Sequence, residues 1–330
     1  MRSRRIYGSR ECCVYHCVTR TVNGEMLFDV KEKEVLRKML HQIVEFSGVE
    51  LLTYAIMSNH FHVLVRVSDR AKDVSDAELI RRFKVLYPKP SRHRPEDAGM
   101  LETVLKAGRA EADHLRRQLK ARMGDVSEFM RTLKQRYSIW FNKSHNRYGP
   151  LWSDRFKSCV VENDPIVVRT VAAYIDLNPV RAGLVKDPKD YRFCGYAEAV
   201  AWEVHAHPGV RVITGIEDIA YALEDYRMTL FGKGARPKID GSGVKMTEEM
   251  AQSVAESRGS LPTHVLLRQR LRFISNGAVI GSQVFVSQCI AQWSGKIGDK
   301  RPRRPKSHLE NAPATLTTFR ANRMSLCAEF

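Results

Sequence analysis

Two histidines, one tyrosine and one asparagine carry the chemistry legible in this chain. His60-Phe61-His62 sits in the β-prone run Asn59 to Val65. In a strand, residues two apart project from one face, so both imidazoles share a side and Phe61 points to the other. Two such imidazoles can bind one divalent ion, but the pair reads equally as polar residues of a half-exposed strand, and a centre needs a third ligand. Tyr174 and Asn178 stand four apart in the helix expected after Pro165, which places a phenol beside an amide oxygen. Two imidazoles plus an amide oxygen suit Mg²⁺ or Mn²⁺ rather than structural zinc, and leave positions for a phosphate. A tyrosine beside such an ion can attack phosphorus and become covalently linked. Its ordinary pKa near 10 makes activation necessary. Taken alone, Tyr174 is also an ordinary core-edge tyrosine with a hydrogen-bonded hydroxyl. Cys12, Cys13, His16 and Cys17 lack the spacing of a zinc knuckle and read as strand residues.

The elements that must position these groups follow from periodicity. Residues 12–20 read as a strand and Asn23-Gly24 as a turn. Residues 31–46 carry Val35, Leu36, Met39, Leu40, Ile43 and Val44 at helical spacing. Residues 49–57 and 61–67 read as a hairpin around Ser58-Asn59. From 68 to about 126 the composition turns to dense mixed charge, with helices expected at 75–86 and 100–122 around a proline-rich break at 87–95. We read it as a solvated helical insertion. A helix at 128–142 and a strand at 151–161 follow. Asn163-Asp164-Pro165 then opens a helix that Pro179 should stop. Beyond residue 196, helices are expected near 216–230, 246–257 and 263–293, with a linker at 232–243 and a basic tail at 300–306.

Among 330 residues, 43% are hydrophobic and 28% charged, values that exclude a largely disordered, collagenous or membrane-embedded chain. A formal net charge of +17 biases the surface toward polyanions, nucleic acid first. A basic protein with no nucleic-acid role is the alternative reading. The start lacks the ~7–15-residue apolar run of a signal peptide, and no stretch reaches ~18 apolar residues. The seven cysteines show no paired pattern. Reduced thiols and a cytoplasmic protein are expected, with no membrane partner. Tyr137, Trp140 and Trp152, set among Arg136, Arg147, Arg155 and Lys157, offer either a stacking surface for unpaired bases or core packing; packing is the reading for Trp140 and Phe141.

In ordered blocks the chain resembles the single-tyrosine HUH transposases, IS200-like, and most closely their REP-associated branch. The blocks are Tyr15-His16 with Thr19-Arg20; Ala55 through Val65; Arg136-Tyr137 with Phe141-Asn142; Gly149 through Lys157; and Tyr174 through Val185. They span 12–200, with a weaker echo at Tyr226-Arg227 and at Asn276 through Ser282. The resemblance implies an α+β fold: a ferredoxin-like antiparallel sheet with helices on one face. This catalytic domain at 12–200 would carry the insertion at 69–127, which is longer than the pattern requires. A linker and short helical region at 201–245 and a mainly helical extension at 246–330 would follow. The resemblance further implies a divalent metal held by His60, His62 and Asn178, with Tyr174 as the nucleophile. Single-stranded or hairpin DNA would be cut to a 5′-phosphotyrosine and a free 3′-OH, by a monomer or a homodimer. Arg20, Arg136, Asn142, Arg147, Arg155, Lys157 and Arg181 are the expected DNA contacts.

Two alternatives stay open. One is a non-catalytic DNA- or RNA-binding regulator that keeps the fold. The other is a metallophosphoesterase using metal-bound water, which would leave no protein-linked DNA.

Overall fold

The computed structural model describes residues 13–68, 73–89, 97–108, 110–231, 267, 274, 278–294, 306–308 and 316–319. The chain is α+β, and its elements run strand, helix, strand, strand, helix, strand, helix as expected, with three further helices between the third strand and the next matching helix. It divides into two units. One takes its described residues from 13–51 and 56–156, the other from 52–55 and everything after 156.

In the first unit, β1 (Cys13–Arg20) pairs antiparallel with β3 (His60–Val67). The register sets Arg20 opposite His60, Val18 opposite His62 and His16 opposite Leu64. Alternation therefore gathers His16, Val18, Arg20, His60 and His62 on one face, and Tyr15, Cys17, Phe61 and Val63 on the other. Helix α1 (Val30–Ser47) buries Leu36, Leu40, Ile43 and Phe46 at helical spacing and ends on Gly48, whose φ of 63° is left-handed. The strand β2 (Glu50–Ile56) follows.

The insertion is packed rather than merely solvated. Helix α2 (Asp76–Leu86) buries Leu79, Phe83 and Leu86; α3 (Ala98–Ala107) buries Leu101 and Leu105; α4 (Ala110–Lys120) buries Ala112 and Leu119. The single helix expected at 100–122 is thus two, broken where Gly108 turns left-handed at φ 66°. Arg116 ties α4 to α2 with two hydrogen bonds to Asp76, at 2.9 and 2.7 Å, and α2 rests on α1.

Helix α5 (Val126–Ser144) opens on Asp125, whose Oδ1 accepts from the amides of Ser127 (2.6 Å) and Glu128 (2.9 Å). Its Phe129, Leu133, Tyr137 and Phe141 lie on one stripe and are buried. Phe28, Phe61, Tyr137, Phe141 and Trp152 form an aromatic cluster with ring centroids 5.4–6.2 Å apart, edge-on around Phe28 and between Phe61 and Trp152, and tilted around Tyr137 toward Phe141 and Trp152. Residues 151–156 are irregular; Trp152 is fixed by one bridge to Thr21 and by its indole N–H donating to the Lys134 carbonyl at 3.2 Å. The strand expected at 151–161 begins only at Lys157.

The second unit holds β4 (Lys157–Val161) and α6 (Pro165–Asp176). Asp164 caps α6 through the amides of Ile166 and Val167, and Pro165 fits the first turn, where no N–H is needed. Leu177 breaks the helix, and the short α7 (Asn178–Arg181) carries Pro179 in its own first turn, so the break falls just ahead of that proline. Helices α8 (Gly195–Val200), α9 (His207–Thr214) and α10 (Ile219–Phe231) follow. Beyond them come β5 (Val279–Gly281), α11 (Gln283–Ser294), β6 (Lys306–His308) and β7 (Leu316–Phe319). Of the helical stretch expected at 263–293, residues 283–293 lie in α11, residues 279–281 form the strand β5 instead, and residues 263–266, 268–273 and 275–277 lie outside the described residues. The short strands went unforeseen, being only three or four residues long. They run β4-β5-β7-β6, with β5 parallel to β4 and the other pairs antiparallel. The linker at 232–243, the helix near 246–257 and residues 300–305 of the tail lie outside the described residues.

Among the described residues, Cys13, Cys17, Cys159, Cys194 and Cys289 are buried. Among the described residues no helix is long and apolar enough to cross a membrane.

Candidate active site

His60 and His62 occupy one face of β3 with ring centroids 5.2 Å apart, His62 buried and His60 half-buried. Each ring has a partner on Nδ1. His60 Nδ1 lies 2.6 Å from Asn59 Oδ1, and Asn59 Nδ2 donates to the Gly24 carbonyl at 2.8 Å. The Asn59 carbonyl in turn accepts from the Thr21 amide (2.9 Å) and hydroxyl (3.1 Å). The Asn23-Gly24 turn read from sequence thus buttresses the residue before His60, with Asn23 and Gly24 both left-handed (φ 53° and 71°). His62 Nδ1 lies 2.8 Å from Nε2 of His16, on the neighbouring strand.

Arg20, across the ladder from His60, is exposed on the same face. The other expected DNA contacts divide. Arg155 and Lys157 are exposed cations. Arg136 lies over the Tyr87 ring at 5.4 Å. Asn142 ties the loop after α5, donating to the Gly149 carbonyl at 3.0 Å and accepting the Arg147 amide at 2.8 Å. Arg147 is half-buried, with Nη1 out of solvent and without a hydrogen-bond partner among the described residues. The aromatic residues weighed for base stacking are mainly core. Tyr137 is fully buried, donating to the Glu32 carbonyl at 3.0 Å, and Trp152 packs against Phe28, Phe61 and Tyr137. Their stripe of apolar spacing belongs to the interior because α5 turns it toward Phe28.

In the second unit, Tyr174 lies in the last turn of α6 and Asn178 opens α7. Tyr174 is 3% exposed, and the Arg181 guanidinium sits 4.0 Å above its ring. Arg181 also donates to the carbonyls of Tyr174 (2.6 Å) and Leu267 (2.8 Å), so this expected DNA contact braces the tyrosine helix. Asn178 Nδ2 donates to the Ile175 carbonyl at 3.1 Å and, more weakly, to that of Tyr174 at 3.4 Å. Its amide oxygen is therefore the atom suited to a cation. The two imidazoles, each engaged at Nδ1, are nitrogen donors suited to a divalent ion, and in the other unit the Asn178 amide oxygen is a donor of the kind that Mg²⁺ or Mn²⁺ takes.

The sequence reading missed what holds the tyrosine helix. Asp176, wholly buried, accepts from Thr53 Oγ1 (2.7 Å), the Tyr196 amide (3.1 Å) and the Tyr226 hydroxyl (2.7 Å). Burial pushes its carboxyl up to about 6, against these three donors, which favour the charged form. Burial beside this carboxylate likewise pushes the Tyr226 phenol well up. Arg169 fastens the opposite end of α6 to α10 through Thr229 Oγ1 (2.5 Å), the Asp225 carbonyl (2.8 Å) and the Asp225 carboxylate. The available signal was an acid in an otherwise apolar run, Val171 through Leu177.

Comparison with known proteins falls into place on this geometry. No curated protein matches the chain. A solved structure described as that of the REP associates tyrosine transposase bound to a REP hairpin is similar at a TM-score of 0.38 and 15% identity, over 61% of this chain and 86% of that one. The family model described as Transposase IS200 like matches residues 9–94 and 95–178, which take in both histidines, Tyr174 and Asn178. The chain belongs to the IS200-like transposase family.

Proposed function

We propose that this transposase-family enzyme is a metal-assisted single-stranded DNA endonuclease and strand transferase whose nucleophile is Tyr174. The observation that carries the reading is a pair of imidazoles on one face of β3, each held at Nδ1, in a chain of this family whose α6 carries a tyrosine in its last turn with an amide four residues on. His60, His62 and Asn178 would hold the divalent ion. When bound, it supplies Lewis-acid polarisation of the phosphodiester and stabilises charge on the departing oxygen.

The remaining chemistry belongs to the chain. The Tyr174 hydroxyl loses its proton and attacks phosphorus; the new Oη–P bond replaces the P–O3′ bond, and the leaving oxygen takes a proton to become a free 3′-OH. The 5′-phosphotyrosine conserves the energy of the broken bond, so attack by a 3′-OH reverses the step and rejoins strands. Arg181, over the ring and on the Tyr174 carbonyl, limits the orientations open to the nucleophile. Arg20, Arg155 and Lys157, on a chain of net charge +17, contact the backbone of the DNA, a single strand folded as a REP-type hairpin, in the cytoplasm.

The test incubates the full chain with pooled, labelled hairpin oligonucleotides and Mg²⁺ or Mn²⁺ and resolves the products on a denaturing gel. A metal-dependent protein–DNA adduct, absent from Tyr174→Phe, is expected. An adduct in that variant overturns the nucleophile assignment. Cleavage without protein-linked DNA means water attack, and tight binding without cleavage across the pool means a binding protein.

A further inference from the structure

The hydrogen bonds around the histidine pair fix which nitrogen of His60 carries the proton and give His62 a partner on the same ring nitrogen. The Gly24 carbonyl only accepts, so the Asn59 NH₂ must face it at 2.8 Å, and the Asn59 oxygen must then face His60. An amide oxygen only accepts, so at 2.6 Å His60 Nδ1 must be the donor and carry the proton. The lone pair of that ring then lies on Nε2. His62 is held at Nδ1 by a different kind of partner, a second imidazole. Its ring is nearly parallel to that of His16 (20°), with centroids 5.1 Å apart across a 2.8 Å N···N gap. That spacing is of two rings joined nose to nose by one N–H···N bond. With their facing nitrogens only 2.8 Å apart, two imidazoles converging on a common ion would have to bring their centroids closer than this. His16 is therefore a neighbour of the ligand rather than a further ligand; either ring can supply the proton of this bond, and binding of an ion at His62 Nε2 requires that it come from His62 Nδ1.

We infer that Asn59 and His16 are positioning residues, which hold His60 and His62 in the Nδ1–H tautomer so that both present Nε2 to the divalent ion. The two supports differ in kind. Asn59 is fixed by a turn within its own strand's approach, whereas His16 reaches diagonally across the ladder from β1 and is 1% exposed. Outer partners of this sort set the ring orientation and raise ligand basicity, and their loss weakens metal binding about 10–100-fold.

The inference rests on the proposed metal-binding role of His60 and His62, and the experiment separates the two. Mn²⁺ is titrated into the full chain without DNA, followed by electron paramagnetic resonance of the free ion, for wild type, His60→Ala, His62→Ala, Asn59→Ala, Asn59→Asp and His16→Phe. Long-range proton–nitrogen spectra of the histidine-labelled wild type read the tautomers directly and need no variant to fold. Expected are Nδ1–H signatures for His60 and His62, loss of binding in both ligand variants, and about 10–100-fold weaker binding in Asn59→Ala and His16→Phe. Asn59→Asp, which keeps an acceptor oxygen, should bind more tightly than Asn59→Ala. Unchanged Mn²⁺ affinity in His60→Ala and His62→Ala would sink the metal reading itself. If those variants lose binding while Asn59→Ala and His16→Phe do not, or if either ligand ring shows Nε2–H, the positioning role alone is overturned.

Discussion

The histidine strand and the tyrosine helix are held by different means. His60 and His62 owe their placement to neighbours: a paired strand, a two-residue turn and one amide side chain, all within 13–67. Tyr174 stands on a helix pinned by residues distant in sequence, from Thr53 on one side to Tyr196, Asp225, Tyr226 and Thr229 on the other. The last four lie beyond residue 178, where the family match ends. The part of the site built from strand periodicity is self-contained. The part built on a helix needs an acid at its core and a later segment of chain to complete it.

The comparison breaks most visibly at the nucleophile. Tyr174→Phe should remove every covalent adduct on a denaturing gel while leaving hairpin affinity within about twofold, since only a hydroxyl is lost. Next in size is the interior of the first unit. Trp152→Ala should lower stability by about 3–5 kcal/mol in a urea titration, because the ring packs against Phe28, Phe61 and Tyr137.

Asp176 sharpens the contrast for the second unit. Its carboxyl titrates higher in the fold, at about 6, than its ordinary value of 3.8. The folded chain thus binds this proton more tightly than the unfolded one. The resulting stabilisation is present below pH 4 and is lost as pH rises through 6, a change of about 3 kcal/mol. Asp176→Asn should flatten that slope between pH 4 and 6 in thermal melts. An unaltered profile would mean the slope comes from other groups. The smallest effect belongs to the insertion. Ser75 and Asp97 cap α2 and α3 by accepting from the amides of Glu78 (3.3 Å) and Met100 (2.8 Å). Either alanine variant should cost about 1 kcal/mol by denaturant titration, with adduct formation unchanged.

The same contrast explains what was legible beforehand. Alternation and helical spacing placed β1, α1, β3, α5 and α6 to within a few residues, because their buried faces recur in short windows. His60, His62, Tyr174 and Asn178 stood out by type and spacing. Asp176 did not, because its partners lie 20 to 123 residues away and nothing local marks them. The irregular stretch before β4 was read as strand since Leu151 and Trp152 are β-formers; they are in fact drawn to the aromatic cluster by tertiary packing. For Tyr137 and Trp152 the sequence left stacking and core packing open, and tertiary contacts decide for packing.

The buried thiols give each unit its own clock. Cys13 and Cys17 line the histidine ladder, whereas Cys159, Cys194 and Cys289 lie in the other unit, where burial pushes the Cys194 thiol well above its ordinary range. A protonated, enclosed thiol reacts with an alkylating reagent only after its surroundings open. The rates at which the two sets are modified in one sample therefore time the opening of the two units independently, with no label to introduce.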